Sequence, residues 1–452
     1  MITVEKVGVK CTKRRIPLIN CQTNGFFGFS KSFIPEYCVI ESHSEEIDDL
    51  RICDPFAELS EYVDSVDLSA LDEMEHSHVP YLVLLIKFIA EWKSKNGGSI
   101  PQTFKQKKEF AAQIKEAKGT FDRQNYEEAE NNVLRLITEY KIPEHIVEIL
   151  NMADAVNLAD TQTKIYNKVF WILVKALKMF LENQDEGSRK LPLVGTLPDM
   201  FSDTKRYVEI QKVYKEKARV DAKAVYSYVL KILANMNQTE KAEHAEELAI
   251  SFEQAEVFCK NCRNISVINA NKFEVDPKVI AVIKEHENNR HTEQFGADQT
   301  DLHYEDQSDE EDAIDKLGIG EMAAVALQGA LLFKSIYHRY PGEVKQDKNV
   351  LLKDRQRFRA IFDCLLIQSF SGLVSSDEYI NMESLITTLN EKKAYAQVFN
   401  EFVRSGGAQV HSIAAVMGGL VAQEAIKLTT HHYIPETKQI IYNGVQSIFH
   451  FV

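Results

Sequence analysis

The chain runs to 452 residues, 44% of them hydrophobic, enough for two or three domains with cores of their own. Lys and Arg total 53 against 67 Asp and Glu, a formal charge of −14 that makes nucleic acid and anionic lipid poor general partners. Seven scattered cysteines, an odd number, argue for free thiols in a reducing compartment rather than a disulfide framework.

The opening MITVEKVGVKCTKRR holds no apolar core of signal-peptide length. Three β-rich runs follow, IPLIN (16–20), FFGFSKSFI (26–34) and YCVIES (37–42), separated by Asn24-Gly25 and Pro35-Glu36. From about residue 44 the pattern turns helical, with stretches at 79–95, 104–118, 126–140, 164–182, 203–236, 239–263 and 315–339. Within 203–236, Tyr207, Ile210, Val213, Tyr214 and Ala218 recur at helical steps with lysines between them. VPYLVLLIKFIAEW is the best candidate for a membrane span, and Lys87 and Glu91 interrupt it well short of the roughly 18 apolar residues required. The expectation is a soluble, intracellular chain that crosses no membrane.

Two polar stretches punctuate the helices. Residues 284–312 end in a dense acidic cluster around Ser308 and read as a disordered surface loop. LENQDEGSRKLPLVGTLPDM (181–200) reads as an ordered connector. Strand character returns only at the very end, in QIIYN and SIFHFV. The order β, then α, then α-β predicts an α/β fold with a large all-α insertion. Residues 1–43 and 396–452 are its two α/β parts, and 44–395 the inserted helical domain.

Candidate chemistry is sparse. Cys259-Lys-Asn-Cys262 is a C-x-x-C, but no second ligand pair follows for zinc, and it lies in or at the end of a helix rather than after a strand. His76-Ser-His78 and His431-His432 lack the four-residue spacing that lets two histidines share a metal on one helix face. Glu73 and Glu75 could complete a site there, yet a polar loop leading to a helix start at Pro80 is the simpler reading. Gly318-Ile-Gly-Glu-Met-Ala323 matches the dinucleotide fingerprint, but the preceding DEEDAIDKL is acidic and unlike a strand, so the match reads as chance. The lysine-rich 104–119 stretch reads as a solvated helix face. Cys11, Cys21, Cys38, Cys53 and Cys364 have no catalytic flanks, and Cys21 and Cys38 read as strand core.

The C-terminal run HSIAAVMGGLVAQEAIKLTT, 411–430, is the most informative. On a helix, Ala414, Gly418 and Ala422 stack at four-residue spacing beside Ala415 and Gly419. Gln423, Glu424 and Lys427 rule out a spanning helix. Each mid-helix glycine costs about 0.5–1 kcal/mol relative to alanine, and close approach to a neighbouring backbone would offset it. The expectation is that Gly418 and Gly419 thin the helix so that it lies on the strands QIIYN and SIFHFV.

AAVMGGLVAQEAIKLTT resembles the A-x-x-G-G-x-x-A-Q-E-x-x-K helix of the adenylation domain in enzymes that activate ubiquitin and its relatives. The matching residues are Ala415, Gly418, Gly419, Ala422, Gln423, Glu424 and Lys427. Within that superfamily the chain resembles the regulatory, non-catalytic subunits of the heterodimeric activating enzyme for the neddylation modifier, the amyloid-precursor-protein-binding protein family. IPLINCQTNGFFGF, CVIESH, DLRICDPFAEL, HSHVPYLVLLIKFIAEW, NGGSIPQTFKQKKEF, FWILVKALKMF, LPLVGTLPDMFSDTKRYVEIQKVYKEKA and HRYPG fall in order along nearly the whole chain.

The resemblance implies an incomplete Rossmann-like adenylation domain interrupted by a helical domain that matches the partner's cysteine domain without its nucleophile. It implies a heterodimer with a catalytic subunit that carries ATP, Mg and the thioester cysteine and adenylates the modifier's C-terminal glycine. No catalytic, cofactor-binding or metal-binding residue is then expected in this chain, and the location is cytoplasmic, with the nucleus as a second compartment. Relatives carry more adenylation-domain sequence ahead of IPLIN, which would leave that strand an unpaired edge here. The expectation is that the chain as it stands does not support full activation. Two other readings stay open: a truncated scaffold or competitor that binds through its helical domain, and a thiol or metal enzyme at Cys259 and Cys262.

Overall fold

The structure is a computed structural model and describes residues 7–8, 10–11, 13–42, 49–118, 123–158, 165–185, 189–239, 248–270, 318–371 and 393–452. The acidic stretch 284–312 lies outside them. The fold is mixed α/β, mostly helical with a small antiparallel sheet. Two compact units divide the chain. One comprises Cys38–Val267 with His431–Ile434, the other Met1–Tyr37, Ile268–Thr430 and Pro435–Val452. The sequence pattern assigns 44–395 to a helical insertion, whereas the helices after residue 318 share a unit with the strands.

The first unit is helical: α1 (Ala57–Ser65), α2 (Glu73–Ser77), α3 (Tyr81–Lys95), α4 (Phe104–Lys118), α5 (Gln124–Leu136), α6 (Glu144–Ala155), α7 (Ile165–Glu182), α8 (Thr204–Thr239) and α9 (Phe252–Asn261). The polar loop expected before Pro80 contains a one-turn helix, α2, held by a reciprocal cap between Asp72 and Glu75. Pro80 then occupies the N-cap of α3, where its missing N–H costs no helical bond. The apolar run Tyr81–Ile86 is buried on all sides, so its composition reflects a core helix. Ser251 and Gln254 cap α9 reciprocally and set its start, later than the pattern's 239.

Two clusters hold this unit. Trp92, Phe110, Tyr126 and Tyr214 centre one, built from α1, α3, α4, α5 and the first half of α8. Trp171, Phe170, Phe258 and Val225 centre the other, built from α6, α7, the rest of α8 and α9. A fully buried large side chain contributes about 1.5–3 kcal/mol, so these aromatics carry much of the stability. Leu181 and Glu182 of the connector end α7, and residues 189–200 carry no regular secondary structure and pack on α8. The Leu193 N–H donates to Asp221 Oδ2 at 3.1 Å. Gly195 has φ +79°, and a β-carbon there would sit 2.7 Å from that of Ala218.

In the second unit β1 (Leu18–Asn24) and β2 (Phe27–Val39) form a hairpin, registered from Leu18 opposite Phe33 to Asn24 opposite Phe27. Gly25, at φ +57°, makes the turn. β3 (Ser266–Ala270) also pairs with β2. β4 (Ile440–Asn443) pairs antiparallel with Phe27–Ser30 of β2, and β5 (Ile448–Phe451) pairs with β4. FFGFSKSFI and YCVIES thus form a single strand, where the pattern breaks them at Pro35. The β1 ladder ends at Phe33, so the proline removes no donor that it uses. β3 is a further departure, because strand character was expected to return only at the chain's end.

Alternation along β2 sends Phe27 and Phe29 to one face, into a core with α10 (Ile319–Tyr337), α11 (Lys348–Ser371) and α12 (Lys393–Ser405). Ring centroids of Phe27 and Phe402 lie 6.0 Å apart, and those of Phe402 and Phe358 6.2 Å. By length and composition α10 could cross a membrane, but most of its residues fill this core. Its apolar surface is spent on packing. Arg339, in HRYPG, ion-pairs with the fully buried Asp354 through two bonds of 2.6 and 3.2 Å.

Candidate functional site

The C-terminal run forms α13 (His411–Thr430) on the sheet face opposite Phe27 and Phe29. Ile413 and Met417 are its buried apolar contacts, 4% and 1% exposed. They reach the sheet because two strand-side residues have no side chain. A β-carbon at Gly28 would meet Met417 Sδ at 2.6 Å, and one at Gly444 would lie 2.9 Å from the Phe26 carbonyl oxygen and against Ile413. Gly418 and Gly419, by contrast, face open space: a β-carbon at either meets nothing within 4 Å. Ala414, Ala415 and Ala422 are exposed beside them. The expectation that these two glycines thin the helix against the closing strands is therefore corrected. The close approach is real, but Gly28 and Gly444 provide it. Alternation could have located Gly28, since it stands between two core phenylalanines and must face the other side.

The polar part of the signature divides in the same way. Gln423 is exposed. Glu424 is only 4% exposed, and both of its carboxylate oxygens are hydrogen-bonded. One carboxylate oxygen accepts from Lys427 Nζ at 2.7 Å, and the other accepts the Glu436 N–H at 2.8 Å. The Lys427 carbonyl accepts the Tyr37 hydroxyl at 2.6 Å. Glu424 and Lys427 thus tie the helix end to the loop before β4 and to β2. The glutamate's role is positional: each carboxylate oxygen holds a structural partner.

The remaining candidates are structural. Cys259 and Cys262 are both buried at the end of α9. Burial pushes the Cys262 thiol up to about 12 and raises Cys259 well above its ordinary value. Neutral buried thiols are poor nucleophiles. Among the described residues no three His, Cys, Asp or Glu side chains gather as a metal site. His76 stacks on Tyr126 at 5.6 Å and His78 on Phe201 at 5.3 Å. His431 stacks on Tyr166 at 3.8 Å, while His432 approaches Glu41 at 3.5 Å. The fingerprint match at 318–323 opens α10, but a β-carbon on Gly320 would lie 2.6 Å from that of His450. Side chain fills the position where a phosphate cradle needs bare backbone, so these residues do not fit a nucleotide. The segment before Gly318 lies outside the described residues. Cys21 is exposed on β1, where the pattern placed it in the core, whereas Cys38 is buried.

No protein-family model matches the chain. Curated relatives match it nearly end to end. A NEDD8-activating enzyme E1 regulatory subunit of Xenopus laevis is 30% identical over 440 residues, covering 95% of this chain and 71% of the relative. The Gallus gallus regulatory subunit is 29% identical over 98% of this chain and 73% of its own length. The Arabidopsis thaliana regulatory subunit AXL is 28% identical, with the same two shares. The chain belongs to the family of NEDD8-activating enzyme E1 regulatory subunits. Within this member of that regulatory-subunit family, HRYPG has a structural account too. Gly342 has φ +76°, and a β-carbon on Gly406 would lie 2.8 Å from its carbonyl oxygen, so the turn after α10 packs on the glycines that end α12.

Proposed function

We propose that this chain is the regulatory member of a heterodimeric enzyme that activates NEDD8. It assembles with a catalytic subunit, and that subunit holds ATP and Mg, adenylates the modifier's C-terminal glycine and receives it on a cysteine as a thioester. The observation that carries the reading is relatedness to subunits of that name across about 95% of the chain. The unit containing β1–β5 and α10–α13 is then a Rossmann-like adenylation-type domain, and the α1–α9 unit corresponds to the partner's cysteine domain without its nucleophile.

Co-expression with a catalytic subunit of the NEDD8-activating enzyme tests the assembly. Size-exclusion chromatography is expected to yield one complex containing both chains. Separate elution of the two chains would overturn the proposal. A complex that forms but adds nothing to ATP-dependent NEDD8 loading would instead identify a scaffold or competitor.

A further inference from the structure

The helical unit carries a cavity of about 260 Å³ between the segment 49–54, the end of α5 with residues 138–141, and the side chains of Lys190 and Arg263. That volume lies just below the range of about 300–1,000 Å³ of pockets for drug-sized ligands, and suits a smaller group. Its lining is basic, whereas the chain as a whole is acidic. Five basic side chains, Arg51, Arg135, Lys141, Lys190 and Arg263, face three acidic ones, a local charge of +2 in a chain of −14.

The arrangement is built rather than merely charged. Arg51 has φ +54°, a left-handed backbone that a non-glycine residue seldom adopts. Its side chain is only 9% exposed. Nε donates to Asp49 Oδ2 at 2.6 Å and Nη2 to the Leu191 carbonyl at 2.6 Å, so the guanidinium is fixed. It lies 5.0 Å from the Tyr140 ring centroid, and the Arg263 guanidinium lies 5.7 Å from the same ring. Lys190 is held by Asp54. Two of the three acids are therefore committed to ion pairs. The third, Glu139, stands exposed beside Arg135 and Lys141, which form no ion pair among the described residues. Leu50, Ile52 and Leu136 supply an apolar floor.

The geometry points to a binding site for a phosphate monoester of a small organic group. A monoester carries close to two negative charges at neutral pH and offers several strong acceptors, matching the local charge and the donors of guanidinium and ammonium groups. The apolar floor suits the organic portion. Such a group can arrive as a free small molecule or on a phosphorylated side chain, so the test uses phenyl phosphate and a phosphoserine peptide as separate probes.

Isothermal titration of the full chain with phenyl phosphate is expected to show saturable binding that weakens as salt is raised. Arg135→Ala with Lys141→Ala should weaken it by about tenfold or more. Both side chains are exposed, so the variant is expected to keep its melting temperature, measured in parallel. Binding of the peptide alone, with the same loss in the variant, would retain the phosphate chemistry and assign its source to a modified protein. No saturable binding of either probe, or binding unchanged by the double substitution, would overturn the inference.

Discussion

Gly28 and Gly418 are the same residue in opposite situations. Gly28 faces Met417 with no space for a methyl group, so Gly28→Ala should destabilise the protein by about 1–3 kcal/mol through overpacking. Gly418 lies mid-helix with open space around it, so Gly418→Ala should stabilise by about 0.5–1 kcal/mol through backbone entropy and helix propensity. Urea unfolding of the two variants checks both signs, and a destabilising Gly418→Ala would restore the thin-helix reading. The sequence displays Gly418 and Gly419 in a helix but does not reveal which face that helix buries. Only the alternation around Phe27 and Phe29 points to Gly28. Nothing among the described residues offsets the cost of the helical glycines. A third test concerns HRYPG. Asp354 is fully buried and its partner is Arg339, so Arg339→Ala leaves an unpaired buried carboxylate and should cost about 3–5 kcal/mol by the same measurement.

At the level of elements, long amphipathic helices were legible because a 3.6-residue pattern survives wherever one face packs on a core. The strands were less so. Local signals such as Pro35 mark breaks that β2 runs through, because its ladder with β1 has already ended at Phe33, and five-residue β3 is too short to show alternation above noise. In α9 the C-x-x-C motif was visible, but its burial was not, and burial decides its chemistry. The Cys262 thiol is raised from an ordinary 9.0 to about 12. The folded state therefore holds that proton more tightly than the unfolded chain does. This contribution is fully present below about pH 9 and is lost as the pH rises toward about 12. Unfolding free energy measured between pH 7 and 11 should fall less steeply in Cys262→Ala than in the parent chain. Equal slopes would contradict the burial argument.

For the whole molecule, composition and the β-then-α order were sufficient to anticipate an α/β fold rich in helices. They did not place α10–α12 with the strands, because helices that pack on a sheet and helices that pack on one another share the same period. Their allocation is settled by aromatic packing of Phe358, Phe399 and Phe402 with Phe27 and Phe29. Family membership was legible through the sequence signatures alone. The residues of the α13 signature resolve into an architectural clamp, Glu424 with Lys427, and an exposed small-residue face. The central claim is best tested by thioester formation. Catalytic subunit, NEDD8, Mg and ATP are mixed with and without this chain, and the NEDD8 thioester on the partner is followed on non-reducing gels. The account predicts a measurable ATP-dependent thioester, short of full activation, that forms only when this chain is present. Equal loading in its absence would contradict it.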